Sequence, residues 1–263
     1  MSNTHKYALI TGATSGIGYE LAKLFAKDHY NLVIVARSED ELNNKAHEFR
    51  RHGIEVITIA KDLFNKEEAF SLCEEIQTQG LDIDVLVNNA AQGEYGFFKD
   101  TDIERELAII DLNIASTVIL TKHFVKEMVA RNSGKILNVA SIASEIPGPW
   151  QSIYHATKAF VLSFSEAIRS ELKATDITVT ALQPGATDTD FFNKANMTDS
   201  KAVQDKDALS DPADVAKDGY EALMAGKDKV VSGFKNKVQM TIGNITPDTM
   251  LADQVKKQQG PAD

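Results

Sequence analysis

Two hydrophobic rhythms alternate along this chain. Short, nearly continuous apolar runs recur at steady intervals: Tyr7-Ala-Leu-Ile10, Leu32-Val-Ile-Val35, Val56-Ile-Thr-Ile59, Val85-Leu-Val87, Lys135-Ile-Leu-Asn-Val139, Thr178-Val-Thr-Ala-Leu182 and Val230-Val231. Unbroken runs, rather than alternating ones, belong to strands buried on both faces. The longer stretches between them place apolar residues at helical spacing. This alternation predicts an α/β fold, a doubly wound parallel sheet of about seven strands with helices on both faces. No repeat, linker or break in composition divides residues 1–263, so a single domain is expected. Two stretches depart from the rhythm. Residues 189–211 are polar and rich in Asp, Asn and Lys, which predicts a mobile loop or lid over a substrate. The polar end, residues 250–263, predicts a frayed tail.

Composition narrows the classes. A length of 263 residues suffices for one large core, and 43% hydrophobic with 25% charged residues is ordinary for a soluble globular protein. Lys+Arg number 28 against 38 Asp+Glu, and no basic run is dense enough to track a phosphate backbone, so nucleic acid is not an expected partner. The one cysteine, Cys73, cannot form an internal disulfide, which fits a reducing compartment, and it falls in a helical run as a packing residue. Residues 1–7 lack the apolar stretch of a signal peptide, and nowhere do ~18 apolar residues run together. A soluble, cytoplasmic protein without a membrane partner is expected.

The candidate chemistry lies at strand ends. Thr11-Gly-Ala-Thr-Ser-Gly-Ile-Gly18 follows the first strand and opens an amphipathic helix. Its glycines allow a sharp turn and close approach of a pyrophosphate, and the helix amides favour the anion. The second strand ends in Ala36, where a carboxylate would accept from the ribose hydroxyl of NAD; Arg37 and Ser38 follow and suit a 2′-phosphate. NADP(H) is therefore the expected cofactor, with Glu39 and Asp40 keeping NAD(H) as the second reading. Asp62, after the third strand, is placed to meet an adenine amino group or to be a solvated loop residue. Tyr154 and Lys158 stand four apart at the start of a helical run, so they share a face at roughly 5–6 Å. A nearby ammonium would pull the phenol down from its usual value of about 10 toward a working proton shuttle. His155 points off that face and is expected to be structural.

Thr11–Gly18, Asn88-Asn-Ala90, Asn113 within a long helix, Ser141 after the fifth strand, Tyr154-x-x-x-Lys158 and Pro184-Gly185 occur in this order. In this the chain resembles the single-domain, Rossmann-type branch of the short-chain dehydrogenase/reductase family, over about residues 6–232. The resemblance implies a catalytic tetrad of Asn113, Ser141, Tyr154 and Lys158. In it Tyr154 exchanges a proton with the substrate oxygen, Lys158 lowers its pKa and holds the nicotinamide ribose, Ser141 aligns the oxygen, and Asn113 anchors a relay water. It further implies cofactor contacts at Gly12, Thr14, Ser15, Gly16, Ile17 and Gly18 in the turn, at Arg37 and Ser38, at Asp62 and Leu63, and at Asn89 and Ala90. Tyr154, Lys158, Pro184, Gly185, Thr187 and Thr189 complete that set, and no metal enters it. The activity implied is NADP(H)-dependent interconversion of a carbonyl and a secondary alcohol. The alternatives are an NADPH-binding regulator without turnover and an NAD-dependent alcohol dehydrogenase. Ala91 stands where the family often has glycine. The family's tetramer-forming Asp-Gly-Gly tail is missing after Val230-Val-Ser-Gly233, which counts against the usual tetramer and opens a dimer or a monomer beside it as the expected state. Tyr95, Phe97, Trp150, Phe191 and Phe192 flank the expected pocket, where they either favour an apolar or aromatic-bearing substrate or serve as core packing.

Overall fold

The computed structural model describes residues 6–204, 208–243 and 247–262; the reading of the extreme N-terminus falls largely outside them. Seven strands form one sheet: β1 (Tyr7–Thr11), β2 (Asn31–Ala36), β3 (Val56–Ala60), β4 (Ile83–Asn88), β5 (Gly134–Val139), β6 (Ile177–Gln183) and β7 (Lys229–Val231). Their order is β3-β2-β1-β4-β5-β6-β7, parallel throughout. All seven apolar runs read from the sequence are strands. The physical reason is visible in the side-chain alternation. Ala8, Ile10, Leu32, Ile34, Val85 and Val87 pack into one core cluster, and Leu9, Val33, Val35, Ile83, Leu86 and Ile136 into another. Burying each larger aliphatic side chain contributes roughly 1.5–3 kcal/mol, on both faces of the sheet at once.

The helices are α1 (Gly16–Lys27), α2 (Glu39–Phe49), α3 (Lys66–Thr78), α4 (Ile103–Arg131), α5 (Ser152–Glu171), α6 (Phe191–Lys194), α7 (Lys201–Gln204), α8 (Pro212–Met224), α9 (Phe234–Gly243) and α10 (Asp248–Gln259). Short polar side chains start them: Ser38, Asn65, Asp102 and Asp211 each accept from a backbone N–H in the following turn. α1 and α8 supply Leu21, Phe25, Val215 and Leu223 to the first cluster, and α3 and α4 supply Leu72, Leu120, Phe124 and Met128 to the second. Cys73 is buried in α3, and burial pushes its thiol up to about 12, as suits a packing residue. By length and composition α4 could cross a membrane. Leu112, Leu120, Phe124 and Met128 are instead at most 6% exposed against the sheet, so it is a core helix.

Both stretches that broke the rhythm are more ordered than expected. Within 189–211, α6 and α7 are helical, Thr187 bridges Ser210 and Ser200 bridges Pro261; residues 205–207 lie outside the described set. The frayed tail expected over 250–263 is corrected by α10, whose Leu251 and Val255 are buried. Its polar sequence hid this because most of what docks it is backbone. The Gln259 carbonyl accepts from the Tyr95 hydroxyl at 2.6 Å and the Ser200 hydroxyl at 2.8 Å, and the Lys256 carbonyl accepts from Trp150 Nε1 at 3.2 Å.

Candidate active site

The sheet order reverses between β1 and β4, and ligands of open α/β sheets sit above the strand carboxyl ends at such a point. A cavity of about 740 Å³ opens there. One end is lined by Arg37, Ser38, Asp62 and Leu63, the middle by Gly12, Thr14, Ser15, Gly16, Ile17, Asn89 and Ala90. The other end is lined by Ser141, Tyr154, Lys158, Pro184, Gly185, Thr187 and Thr189. Gly18 and Asn113 do not line it; they stand behind it.

The turn after β1 is held shut by its neighbours. Thr11 Oγ1 accepts from the amides of Asn89 and Ala90 at 3.0 Å, and Asn89 Nδ2 donates to the Thr11 carbonyl at 2.8 Å. A Cβ on Gly18 would lie 2.3 Å from the Gly12 carbonyl oxygen and 2.4 Å from Asn89 Nδ2, so only glycine lets this crossing close. Gly12 and Gly16 adopt φ of +68° and +56°, where glycine is at no disadvantage. The result is a ledge of backbone lining the cavity and leading to the α1 N-terminus, which fits a dinucleotide's pyrophosphate. At the adenosine end Arg37 has no carboxylate within ion-pair distance among the described residues and lies over the Phe64 ring at 5.4 Å. Ser38 caps α2 by accepting from Glu41 N at 3.3 Å, which leaves its own proton to donate.

At the far end Tyr154 and Lys158 share one face of α5, as their spacing requires. Lys158 is 3% exposed; its Nζ donates to the Val139 carbonyl at 2.7 Å and lies 5.8 Å from the Tyr154 ring centre. Ser141 caps the short 3₁₀ turn Ile142–Glu145, accepting from Ala143 N at 3.1 Å and donating to the Pro184 carbonyl at 3.4 Å. Here one expectation is corrected. Lys158 does not pull the phenol down: burial pushes Tyr154 up to about 12, and only the Ser141 hydroxyl works against it. Burial also pushes the Lys158 amine down to about 7, because a charge is costly there.

Asn113 is 2% exposed and lies in a π turn, Asp111–Ala115, that interrupts α4. Its Oδ1 accepts from Gln92 N at 3.0 Å, while its Nδ2 donates to the Gln92 carbonyl and the Thr157 hydroxyl, both at 2.9 Å. Thr157 in turn donates to the Tyr154 carbonyl at 2.8 Å. Asn113 thus ties the loop after β4 to the helix carrying Tyr154. His155 is buried and donates from Nδ1 to the Ile146 carbonyl at 2.8 Å, the structural role expected of it. Of the flanking aromatics, Phe191 and Phe192 line this cavity, with Phe191 5.0 Å from the Tyr154 ring. Tyr95, Phe97 and Trp150 stack on one another beside it, Tyr95–Trp150 at 5.5 Å and Phe97–Trp150 at 3.9 Å.

Several lining residues escaped the sequence reading: Gln92, Gln151, Met197, Val255, Gln258 and Gln259. Gln92 follows Asn88-Asn-Ala90 closely enough to have been found. The α10 residues carried no signal at all.

A family model described as short chain dehydrogenase matches residues 6–200. The chain belongs to this family. An uncharacterised oxidoreductase of Staphylococcus aureus (strain N315) is 31% identical over 224 residues, which cover 85% of this short-chain dehydrogenase and 93% of the relative. A structure of a 7β-hydroxysteroid dehydrogenase superposes with a TM-score of 0.86 at 25% identity, over 95% of this chain and 96% of that one. A short-chain dehydrogenase from Sphingobium yanoikuyae in complex with NADPH superposes with a TM-score of 0.81 at 26% identity, over 92% and 96%. The seven-stranded sheet with flanking helices is the fold of this oxidoreductase family, and NADPH is bound in that second neighbour.

Proposed function

We propose that this short-chain dehydrogenase is an NADP(H)-dependent oxidoreductase that interconverts a carbonyl and a secondary alcohol, with Tyr154 as proton donor and acceptor. The observation that carries the reading is one continuous cavity with Arg37, unpaired among the described residues, at one end, the glycine ledge in the middle, and Tyr154, Ser141 and Lys158 at the other end. In the reducing direction Tyr154 donates its phenolic proton to the substrate oxygen as the carbonyl carbon is converted to C–H. The dinucleotide, when bound, supplies the hydride for that carbon. Burial pushes Tyr154 up to about 12, so it is protonated at neutral pH and carries the proton to be donated, although as a weaker acid than a free phenol. Ser141, beside Tyr154, holds the oxygen in line. Lys158, on the Tyr154 face of α5, holds the nicotinamide ribose. Asn113 keeps the α5 face in register. The Arg37 guanidinium, with the Ser38 hydroxyl, receives the 2′-phosphate that separates NADP(H) from NAD(H).

The test is NADPH and NADH consumption with a panel of diketones, aldehydes and ketones, run on wild type and Tyr154→Phe. Wild type is expected to consume NADPH in preference to NADH. The variant is expected to lose about 10²–10⁴ in kcat while binding NADPH nearly as well. Near-wild-type turnover in Tyr154→Phe sinks the proton-donor assignment, and NADPH binding with no turnover across the panel favours a sensor.

A further inference from the structure

Two buried amides line the cavity with no partner among the described residues, and one of them, Gln151, lies beside Tyr154. Gln92 and Gln151 are 5% and 4% exposed, and the Nε2 atom of each is buried without a hydrogen-bond partner among the described residues. Both side chains line the cavity that holds Tyr154. Buried donors are nearly always satisfied, because an unmade bond forfeits the full desolvation of the group. Their backbones are meanwhile pinned. Gln92 is gripped at both its N–H and its carbonyl by Asn113, and Gln151 donates to the Gly148 carbonyl at 3.1 Å and accepts from His155 N at 3.0 Å. The Gln151 amide also sits next to the chemistry. A Cβ built on Gly93 would touch Gln151 Nε2 at 3.2 Å, the Tyr154 ring edge at 3.4 Å and Phe191 at 3.0 Å. Gly93 therefore leaves open the space between this amide and Tyr154. A third amide in the same cavity, that of Gln259, has a buried and unpartnered Oε1, which can only accept.

We infer that Gln92 and Gln151 form a specificity site for a second oxygen on the substrate, a neutral hydroxyl carried on an apolar body away from the reacting carbonyl. This rests on the oxidoreductase reading above and names its substrate class. The two amide donors require an acceptor oxygen, and the Gln259 oxygen makes a hydroxyl, which also donates, a better match than a keto group. The body is apolar because Phe191, Phe192, Met197 and Val255 line the same cavity, with Phe191 against the Tyr154 ring. The second group is neutral because, among the described residues lining that end, no cation is free to meet an anion. Lys194 lines the cavity but is paired with Asp190 at 2.9 Å, and Lys158 is committed to the Val139 carbonyl. An unsubstituted analogue leaves the amides unpaired, and a site built to hydrogen-bond a substrate hydroxyl discriminates against the analogue lacking it.

The experiment compares cyclohexanone, its ring-hydroxylated analogue and its ring-carboxylated analogue in wild type, Gln92→Met, Gln151→Met and Gln151→Glu. Met keeps the length and removes the donor, and Glu keeps size and polarity should Met not fold. Each ketone is scored by kcat/KM where it is reduced and otherwise by Kd for the NADP⁺-bound protein from calorimetry. Absence of all turnover counts against the reading of function, while the binding preference still tests the two amides. Wild type is expected to prefer the hydroxylated ketone by about ten-fold or more, and the substitutions to erase that preference. No preference in wild type, a preference that survives the substitutions, or a preference for the carboxylate overturns the inference. So does a loss of NADPH affinity as large as the loss of preference, which would assign the amides to the cofactor.

Discussion

At the scale of single residues, this site is governed by what burial does to ionisation. Tyr154 and Lys158 both lie where charge is penalised, so the phenol moves up and the amine down, and the pair is most stable with both neutral. Arg37 is the opposite case, an exposed cation resting on Phe64 with no carboxylate partner among the described residues. Removing one charge-assisted contact to a phosphate costs roughly 1.5–3 kcal/mol. Arg37→Ala is therefore expected to weaken NADPH by about ten- to a hundred-fold and to leave NADH nearly untouched. Fluorescence titration with both nucleotides measures this, and equal loss for both would make Arg37 a structural residue. Residue types and spacing were enough to single out Arg37, Tyr154 and Lys158. They could not say which way the Tyr154 pKa moves, because the balance between a neighbouring charge and desolvation depends on depth in the fold.

At the scale of elements, the glycine turn and α10 make opposite lessons. The turn is local: the Gly18 contact with the Gly12 carbonyl comes from residues six apart, and its pattern is written in the sequence. α10 docks through long-range contacts, its backbone carbonyls meeting Tyr95, Trp150 and Ser200, and no local pattern encodes that. Trp150 is the chain's one tryptophan, so it reports on α10 directly. A chain ending at Pro247 is expected to show Trp150 emission at longer wavelength and stronger quenching by iodide, as the ring loses its carbonyl partner on Lys256. Unchanged emission and quenching would show that α10 does not rest on Trp150 in solution. The same truncation removes Val255, Gln258 and Gln259 from the cavity wall.

At the scale of the whole molecule, the buried Lys158 couples the site to global stability. Its folded pKa, about 7, lies below the unfolded value of about 10.4. Between those two values the unfolded chain holds a proton that the folded one has released, so stability rises with pH through this window. Lys158→Met removes the titration. Thermal unfolding of the two proteins from pH 7 to 9.5 is expected to show wild type gaining on the variant as pH rises, a parallel pair of profiles being the contrary result. Tyr154 contributes little to this comparison, since its shift from about 10 to about 12 acts only at higher pH.

The division between sequence and tertiary structure follows the range of the interactions. The seven strands, the alternation of strand and helix, the glycine ledge and the Tyr154–Lys158 face were legible in the sequence. Each rests on periodicity or on residues a few positions apart, where backbone geometry alone dictates the outcome. The π turn that aims Asn113 at both Gln92 and Thr157, the raised Tyr154 and lowered Lys158, the unpaired amides of Gln92 and Gln151, and the docking of α10 were decided by packing. Those depend on which distant groups meet, and on how far each is removed from water once they do.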